Sequence, residues 1–131
     1  MLNFTLLNYW IENIDYALDY QNFPKGNKKI DIIPRIERTI VPVDDNQAIV
    51  KLHFSIKKTN EVPFGIELSI CGTFYCENWT KHEEGMSFIR VTSVQILFPY
   101  LRQAVSTITG MSNIPQYLLP VVNVANLFDE N

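Results

Sequence analysis

The sequence predicts an α+β fold, a four-stranded antiparallel sheet with one long and one short C-terminal helix on one face. Alternating apolar and polar residues run to about Cys76, which is typical of strands, and helical spacing of apolar residues follows after about Thr92. A turn-forming segment also separates two of the strand patterns. No internal repeat or low-complexity linker interrupts the chain, so residues 1–131 are expected to form a single domain.

The two clearest strands lie in the middle of the chain. In the strand predicted over residues 48–57, Val50, Leu52, Phe54 and Ile56 alternate with polar residues, which indicates one buried face. Residues 64–76 alternate in the same way and place Glu67 and Cys71 on the polar face. The intervening residues 59–63 have the length and the turn-forming composition of a hairpin connection. We therefore expect these two strands to pair antiparallel.

Two further strands are predicted nearer the N-terminus. One face of residues 2–18 carries the apolar side chains of Leu2, Phe4, Leu6, Trp10, Ile14, Tyr16 and Leu18. Residues 30–40 are rich in β-branched side chains and contain Pro34, which indicates an edge strand or a bulge. A polar loop with the aromatic residues Tyr20 and Phe23 separates the two strands, and residues 43–46 form a turn.

The long helix is predicted from the spacing of its apolar residues. One stripe of the helix carries Leu97, Tyr100, Leu101, Ala104, Val105 and Ile108. Pro99 is expected near the start of the helix, where its missing N–H removes no hydrogen bond. Gly110 is expected to end the helix in the left-handed conformation.

The composition narrows the class of protein. With 47% hydrophobic residues the chain is expected to fold, and a net charge of -3 argues against nucleic-acid binding. Only 19% of the residues are charged, which indicates apolar surface reserved for a partner or for self-assembly. No stretch has the length of a membrane span, and the N-terminus lacks the features of a secretory signal. We therefore expect a cytoplasmic protein that does not insert into membranes.

The sequence offers little for catalysis or metal binding. Cys71 and Cys76 point to opposite faces of one strand, so they cannot share a metal ion or form a local disulfide. The glycines are scattered, and we expect neither a metal site nor a cofactor. The one enzymatic hypothesis places Cys71 as a thiol nucleophile beside His53 and Glu67, and it depends only on their sharing a sheet face. The prediction is therefore that the protein is not an enzyme.

Several motifs resemble those of SecB-type export chaperones. The C-terminal half of that family is similar to residues 96–102 (ILFPYLR), 114–116 (IPQ), 119–123 (LPVVN) and 127–128 (LF). Residues 64–67 (FGIE) and 72–74 (GTF) resemble the fourth strand of the family. The order of elements agrees over nearly the whole chain. The resemblance implies a SecB-like fold and a tetrameric chaperone, a dimer of dimers, that holds unfolded clients in apolar grooves without ATP hydrolysis.

The resemblance also implies roles for individual residues. The client groove would include Tyr20, Phe23, Leu97 and Leu101. Leu118, Leu119 and Val121 are added to it because they belong to an apolar run near two prolines that is hard to bury entirely. The oligomer interface would include Phe98, Tyr100, Ala104, Val105 and Ile108. Alternatively, Tyr20 and Phe23 could fold down onto the core. The alternative for Leu97 and Leu101 is that they pack in the core or in the subunit interface. Glu67 would fall where the family has a glutamate that contacts the translocation motor SecA.

The chain departs from the family pattern at the residues expected to dock SecA. Asn13 and Ala17 stand where family members carry acidic residues, and Asp129 and Glu130 are a short remnant of an acidic tail. The sequence ends at Asn131, so most of the last helix of the family is expected to be missing. Binding of SecA is therefore an open prediction.

Two functional hypotheses follow. The first is an ATP-independent holdase for unfolded or extended polypeptides, with a role in protein export. The alternative is a dedicated interaction module with the same fold that binds a single partner, such as an antitoxin or one secreted protein. Both hypotheses predict a homo-oligomer, either a dimer or a dimer of dimers, because a monomer would expose too much apolar surface.

Overall fold

A computed structural model describes residues 3–22 and 32–112 of the chain. The strands are β1 (Phe4–Leu18), β2 (Arg35–Pro42), β3 (Gln47–Ile56) and β4 (Phe64–Cys76), and the helices are α1 (Glu83–Ser87) and α2 (Ser93–Thr109). A π-helical turn, Phe88–Thr92, joins the two helices. The strands form one antiparallel sheet in the order β1-β4-β3-β2. The predicted fold class, a four-stranded antiparallel sheet with a long helix, is confirmed. The predicted short C-terminal helix falls outside the described residues.

The β3–β4 hairpin forms as the sequence predicts. The connection is held by the Thr59 hydroxyl, which accepts hydrogen bonds from the backbone N–H groups of Glu61 at 3.2 Å and Val62 at 3.0 Å. β2 begins directly after Pro34 and lies at the edge of the sheet, where a residue without an N–H donor is tolerated. The predicted edge position of this strand is therefore confirmed.

Two β-bulges interrupt β1, between residues 6 and 8 and between residues 11 and 13. Each bulge sets two residues of β1 against one residue of β4, so the alternation of faces shifts at that point. Trp10 consequently pairs with Cys71 and lies on the open face of the sheet, away from α2. The prediction that Trp10 shares a face with Phe4 is wrong, because a strict alternation of period two does not hold across a bulge.

The hydrophobic core lies between α2 and the sheet. Gly72 of β4 allows α2 to approach closely, since a Cβ atom on this residue would come within 3.0 Å of Leu97 Cδ2 and 2.9 Å of Phe74 Cε2. Thr73, the next residue on β4, is partly exposed on the open face. The glycine of the GTF motif is therefore explained by the packing of the helix on the sheet.

Four residues that the sequence assigned to a groove or an interface belong to this core. Leu97, Leu101 and Val105 are 0% exposed and Phe98 is 5% exposed in the single chain. The assignment of Leu97 and Leu101 to the client groove is wrong, and so is the assignment of Phe98 and Val105 to the oligomer interface. Side chains already buried against their own sheet have no surface to offer a client or a second subunit.

Pro99 lies inside α2 rather than near its start, because α2 begins at Ser93 and follows α1 and the π-helical turn without a break. Proline cannot donate a hydrogen bond to the carbonyl of Gln95. Both residues are exposed, so water can satisfy that carbonyl. α2 ends at Thr109 as predicted, but Gly110 has a φ of -83° and not the left-handed conformation.

Candidate functional site

An apolar groove runs between β1 and α2 on the helix side of the sheet. Its volume is about 370 Å³. The strand contributes Tyr9, Ile11 and Ile14, and the helix contributes Tyr100, Ala104 and Ile108. The predicted interface residues of α2 that remain at the surface are therefore brought together along one wall of this groove.

The bulges in β1 create the other wall. They turn Tyr9 and Ile11 toward the helix side, opposite Gly72 and Ile70 of β4. The ring of Tyr9 stacks on that of Tyr100, with centroids 4.2 Å apart and an interplanar angle of 24°. The sequence prediction missed Tyr9 and Ile11. Their only signal in the sequence is that this strand is apolar on both faces.

The outer edge of β1 also presents apolar surface. No strand pairs with this edge in the described part of the chain, although β1 is 15 residues long. Four of its apolar side chains are between 42% and 50% exposed: Leu7, Tyr9, Ile11 and Ile14. A long apolar edge strand invites pairing with another chain unless something covers it. The edge and the groove form one continuous surface, which we call the β1 surface.

A second apolar region, around Tyr20, lies at the end of the sheet where β1 finishes. Tyr20 and Met111 are each more than half exposed at this end, where α2 also finishes, whereas the exposed Ile33 lines the open face of the sheet. Tyr20 is 57% exposed, so it is not buried in the core of the described residues. Four other predicted groove residues lie outside the described residues: Phe23, Leu118, Leu119 and Val121.

The open face of the sheet carries the predicted docking residue Glu67. Its carboxylate is exposed, and Oε1 lies 3.5 Å from Nε2 of His53. Asp15 of β1 pairs with Glu67 across the strands. Asn13 and Ala17 lie on the same face, on either side of Asp15. The face therefore carries the acidic pair of Asp15 and Glu67, while the residues at positions 13 and 17 are uncharged.

Further along the open face, Cys71 lies beside an ion pair. Lys51 Nζ is 2.5 Å from Glu12 Oε1, and Cys71 Sγ is 3.6 Å from Glu12 Oε2. Burial, with the negative charge of Glu12, raises the pKa of Cys71 to about 11. His53 hydrogen-bonds to Ser69 Oγ at 2.6 Å instead of to the thiol. This arrangement disfavours the thiolate, so it opposes the hypothesis of a thiol nucleophile.

The raised pKa predicts slow alkylation of Cys71. At pH 8 iodoacetamide should modify Cys71 at least about tenfold more slowly in the folded protein than in urea, because only the thiolate reacts. The folded state retains the thiol proton, so this group favours folding below pH 9 and the contribution is lost as the pH rises toward 11. Mass spectrometry of the Cys71 peptide measures the rate. An exposed reference thiol, Glu83→Cys, should react at the unfolded rate, and equal rates for the two thiols would contradict the prediction.

The described residues 3–22 and 32–112 contain no group of three or more His, Cys, Asp and Glu side chains that could hold a metal ion. Within the same part of the chain, no helix combines the length and the apolar character needed to cross a membrane.

The sheet, the helix packed on it and the β1 surface define an α+β protein that leaves apolar side chains uncovered in its single chain. The family model described as preprotein translocase subunit SecB matches residues 12–131, and the chain belongs to the SecB family. The resemblance seen in the ILFPYLR, FGIE and GTF motifs is thereby confirmed.

Relatives cover most of the chain. An uncharacterized protein of Methanocaldococcus jannaschii is 30% identical over 126 residues, which are 92% of this chain and 79% of the relative. The protein-export protein SecB of Bartonella bacilliformis is 26% identical over 131 residues, or 95% of this chain and 80% of the relative.

Solved structures confirm the fold. A SecB-like chaperone of Mycobacterium tuberculosis, in complex with a peptide from an antitoxin, is similar with a TM-score of 0.73 and 15% identity, over 91% of this chain and 90% of the other. A protein of unknown function from Streptococcus agalactiae is similar with a TM-score of 0.57 and 10% identity, over 92% and 99% of the two chains.

Proposed function

We propose that this protein is an ATP-independent holdase that captures non-native polypeptides in the cytoplasm, with a role in protein export. One observation carries the proposal: a chain of the SecB family exposes apolar side chains along β1 and around Tyr20. Holding a client makes and breaks no covalent bond. Its driving force is the burial of apolar area, at about 25 cal/mol per Å² before the entropy costs of association. Such a surface selects hydrophobic, extended chains and not a particular sequence.

The two apolar regions have different occupants in this proposal. The β1 surface binds a second copy of the chain, because a two-fold axis brings two identical strands together antiparallel and covers both exposed edges. The 15 residues of β1 extend over about 50 Å. A contact strip about 16 Å wide along this length would bury roughly 800 Å² on each partner, which is the size of a stable interface. Tyr100, Ala104 and Ile108 then lie in the subunit interface. Clients bind at the other region, around Tyr20.

An aggregation assay tests the holdase. Without nucleotide, the protein at stoichiometric excess should slow the light scattering of three unrelated, chemically unfolded proteins on dilution. Tyr20→Ser should reduce this protection several-fold, because an exposed aromatic anchor is lost. Val43→Ser is the matched control, since Val43 is also half-exposed but lies at the opposite end of the sheet. If none of the three proteins is protected, general holding is wrong.

A dedicated interaction module is the second candidate function. Two observations favour it: the antitoxin peptide bound by the similar Mycobacterium tuberculosis chaperone, and the presence of Asn13 and Ala17 on the open face. Affinity capture from the source cell distinguishes the two functions. One stoichiometric partner, together with little protection of unrelated unfolded proteins, would select the dedicated module. Glu67 remains the candidate contact for SecA in either case.

A further inference from the structure

A cleft of about 610 Å³ opens on the open face of the sheet, at the end where β1 finishes. It lies on the opposite face of the sheet from the apolar groove between β1 and α2. Residues from all four strands or their ends line it, and Ala17 and Gly65 are among them. These two residues pair across β1 and β4. Because neither carries more than a methyl group, the sheet surface is depressed at this point.

The depression depends on the glycine. A Cβ atom on Gly65 would come within 3.2 Å of the Lys58 Cβ and 3.4 Å of the Ile56 carbonyl oxygen. A larger residue would therefore crowd the chain that leaves β3, as well as fill the cleft. The walls are built from longer side chains, so the cleft is a recess with charged walls.

The charges of the walls are segregated. The register places Asp15 and Glu67 side by side on β1 and β4, and continues across β3 to Arg35 on β2. Lys57 and Lys58 follow on the β3 side. The carboxylates therefore lie on β1 and β4 and the three cations on the β3 and β2 side, and the row from Asp15 to Arg35 spans about 14 Å, or three strand spacings.

Per charge, the cations of the cleft have fewer ion-pair partners of opposite charge than Glu67 has. Glu67 lies 3.5 Å from the imidazole of His53. Arg35 has one loose contact, 3.9 Å from Glu37, between two exposed side chains, which contributes little. Among residues 3–22 and 32–112, no carboxylate pairs with Lys57 or Lys58. A ligand that supplies carboxylates meets three cations on the β3 and β2 side.

We propose that this cleft binds an extended polypeptide segment with acidic side chains. The carboxylates of the segment contact Lys57, Lys58 and Arg35, and its backbone crosses the depression at Gly65. A segment of about five extended residues, at roughly 3.3 Å each, spans the row from Asp15 to Arg35. Recognition here depends on charge and lies on the face opposite α2, so it is distinct from the capture of apolar clients.

Fluorescence anisotropy with labelled dodecapeptides tests the proposal. In a Gly/Ser background, a peptide with four Glu residues should bind more tightly than an uncharged one or one with four Lys residues, and the affinity should fall as salt rises. Lys57→Glu combined with Lys58→Glu should weaken binding of the acidic peptide at least about tenfold. Lys81→Glu, a charge reversal outside the cleft, is the control and should leave the affinity unchanged.

The outcomes separate this proposal from the holdase. Equal affinity for the acidic and the uncharged peptide, tighter binding of the basic peptide, or an unaffected double variant would each overturn it. If the double variant does not fold, Arg35→Glu carries the same expectation, because its side chain is exposed. Tyr20→Ser should bind the acidic peptide normally, so a loss of client protection leaves this measurement intact.

Discussion

Leu101→Ala should lower the free energy of unfolding by about 3 kcal/mol or more. The side chain is 0% exposed between α2 and the sheet, so its truncation removes buried apolar contacts and leaves a cavity in a packed core. A typical chain of this size is stable by only about 5–15 kcal/mol, so the loss should be large enough to shift a urea transition clearly. Circular dichroism in urea measures it, at several protein concentrations because assembly contributes to apparent stability.

The matched control for this prediction is Gln95→Ala on the same helix. Gln95 is exposed, and its truncation should change the free energy of unfolding by no more than about 0.5 kcal/mol. If Leu101→Ala costs less than about 1 kcal/mol, Leu101 does not belong to the core. The role that the sequence first gave it, as a wall of the client groove, would then have to be restored.

The part of the fold that the sequence predicted well is the part with one buried face. β3 and β4 each bury one side against α2, so buried residues recur at every second position and the strand bounds are clear. Burial confirms this, since every second residue of β3 is buried and the others are half-exposed. Pairing then follows from the short connection, whose turn chemistry is local.

The faces on which the side chains of β1 lie could not be predicted from the sequence. Its residues are apolar on both faces, and the two bulges that decide which side chains face α2 arise from pairing with β4. Pro99 presents a similar difficulty. A proline is most easily placed in the first turn of a helix, and its position in the middle of α2 is tolerated because Gln95 faces solvent.

The candidate site was predicted in part for a related reason. Helical spacing identifies an apolar stripe but does not tell what covers it, so Leu101 in the core and Ile108 at the groove look alike in the sequence. The cleft at Gly65 was not predicted. Its cations come from β2 and from the end of β3, and only the strand order brings them near Glu67 of β4.

Ile11→Lys combined with Ile14→Lys should convert the assembled protein to a monomer. Both side chains are exposed on β1 and line the groove beside α2, so the substitution places two charges in the proposed interface at little cost to the single chain. Light scattering coupled to size exclusion should give a multiple of the 15.2 kDa chain mass for the wild type and the chain mass itself for the variant. Circular dichroism should show that the variant remains folded.

Val41→Lys combined with Val43→Lys is the matched control, because these valines are 48% and 51% exposed at the other edge of the sheet. The control should retain the wild-type mass. If the β1 variant also retains it, the β1 surface is not the subunit interface. The aggregation assay then tells what the surface does: a variant that assembles but no longer protects unfolded proteins would place the client on β1, whereas a monomer that still protects them would place the client at the end of the sheet around Tyr20.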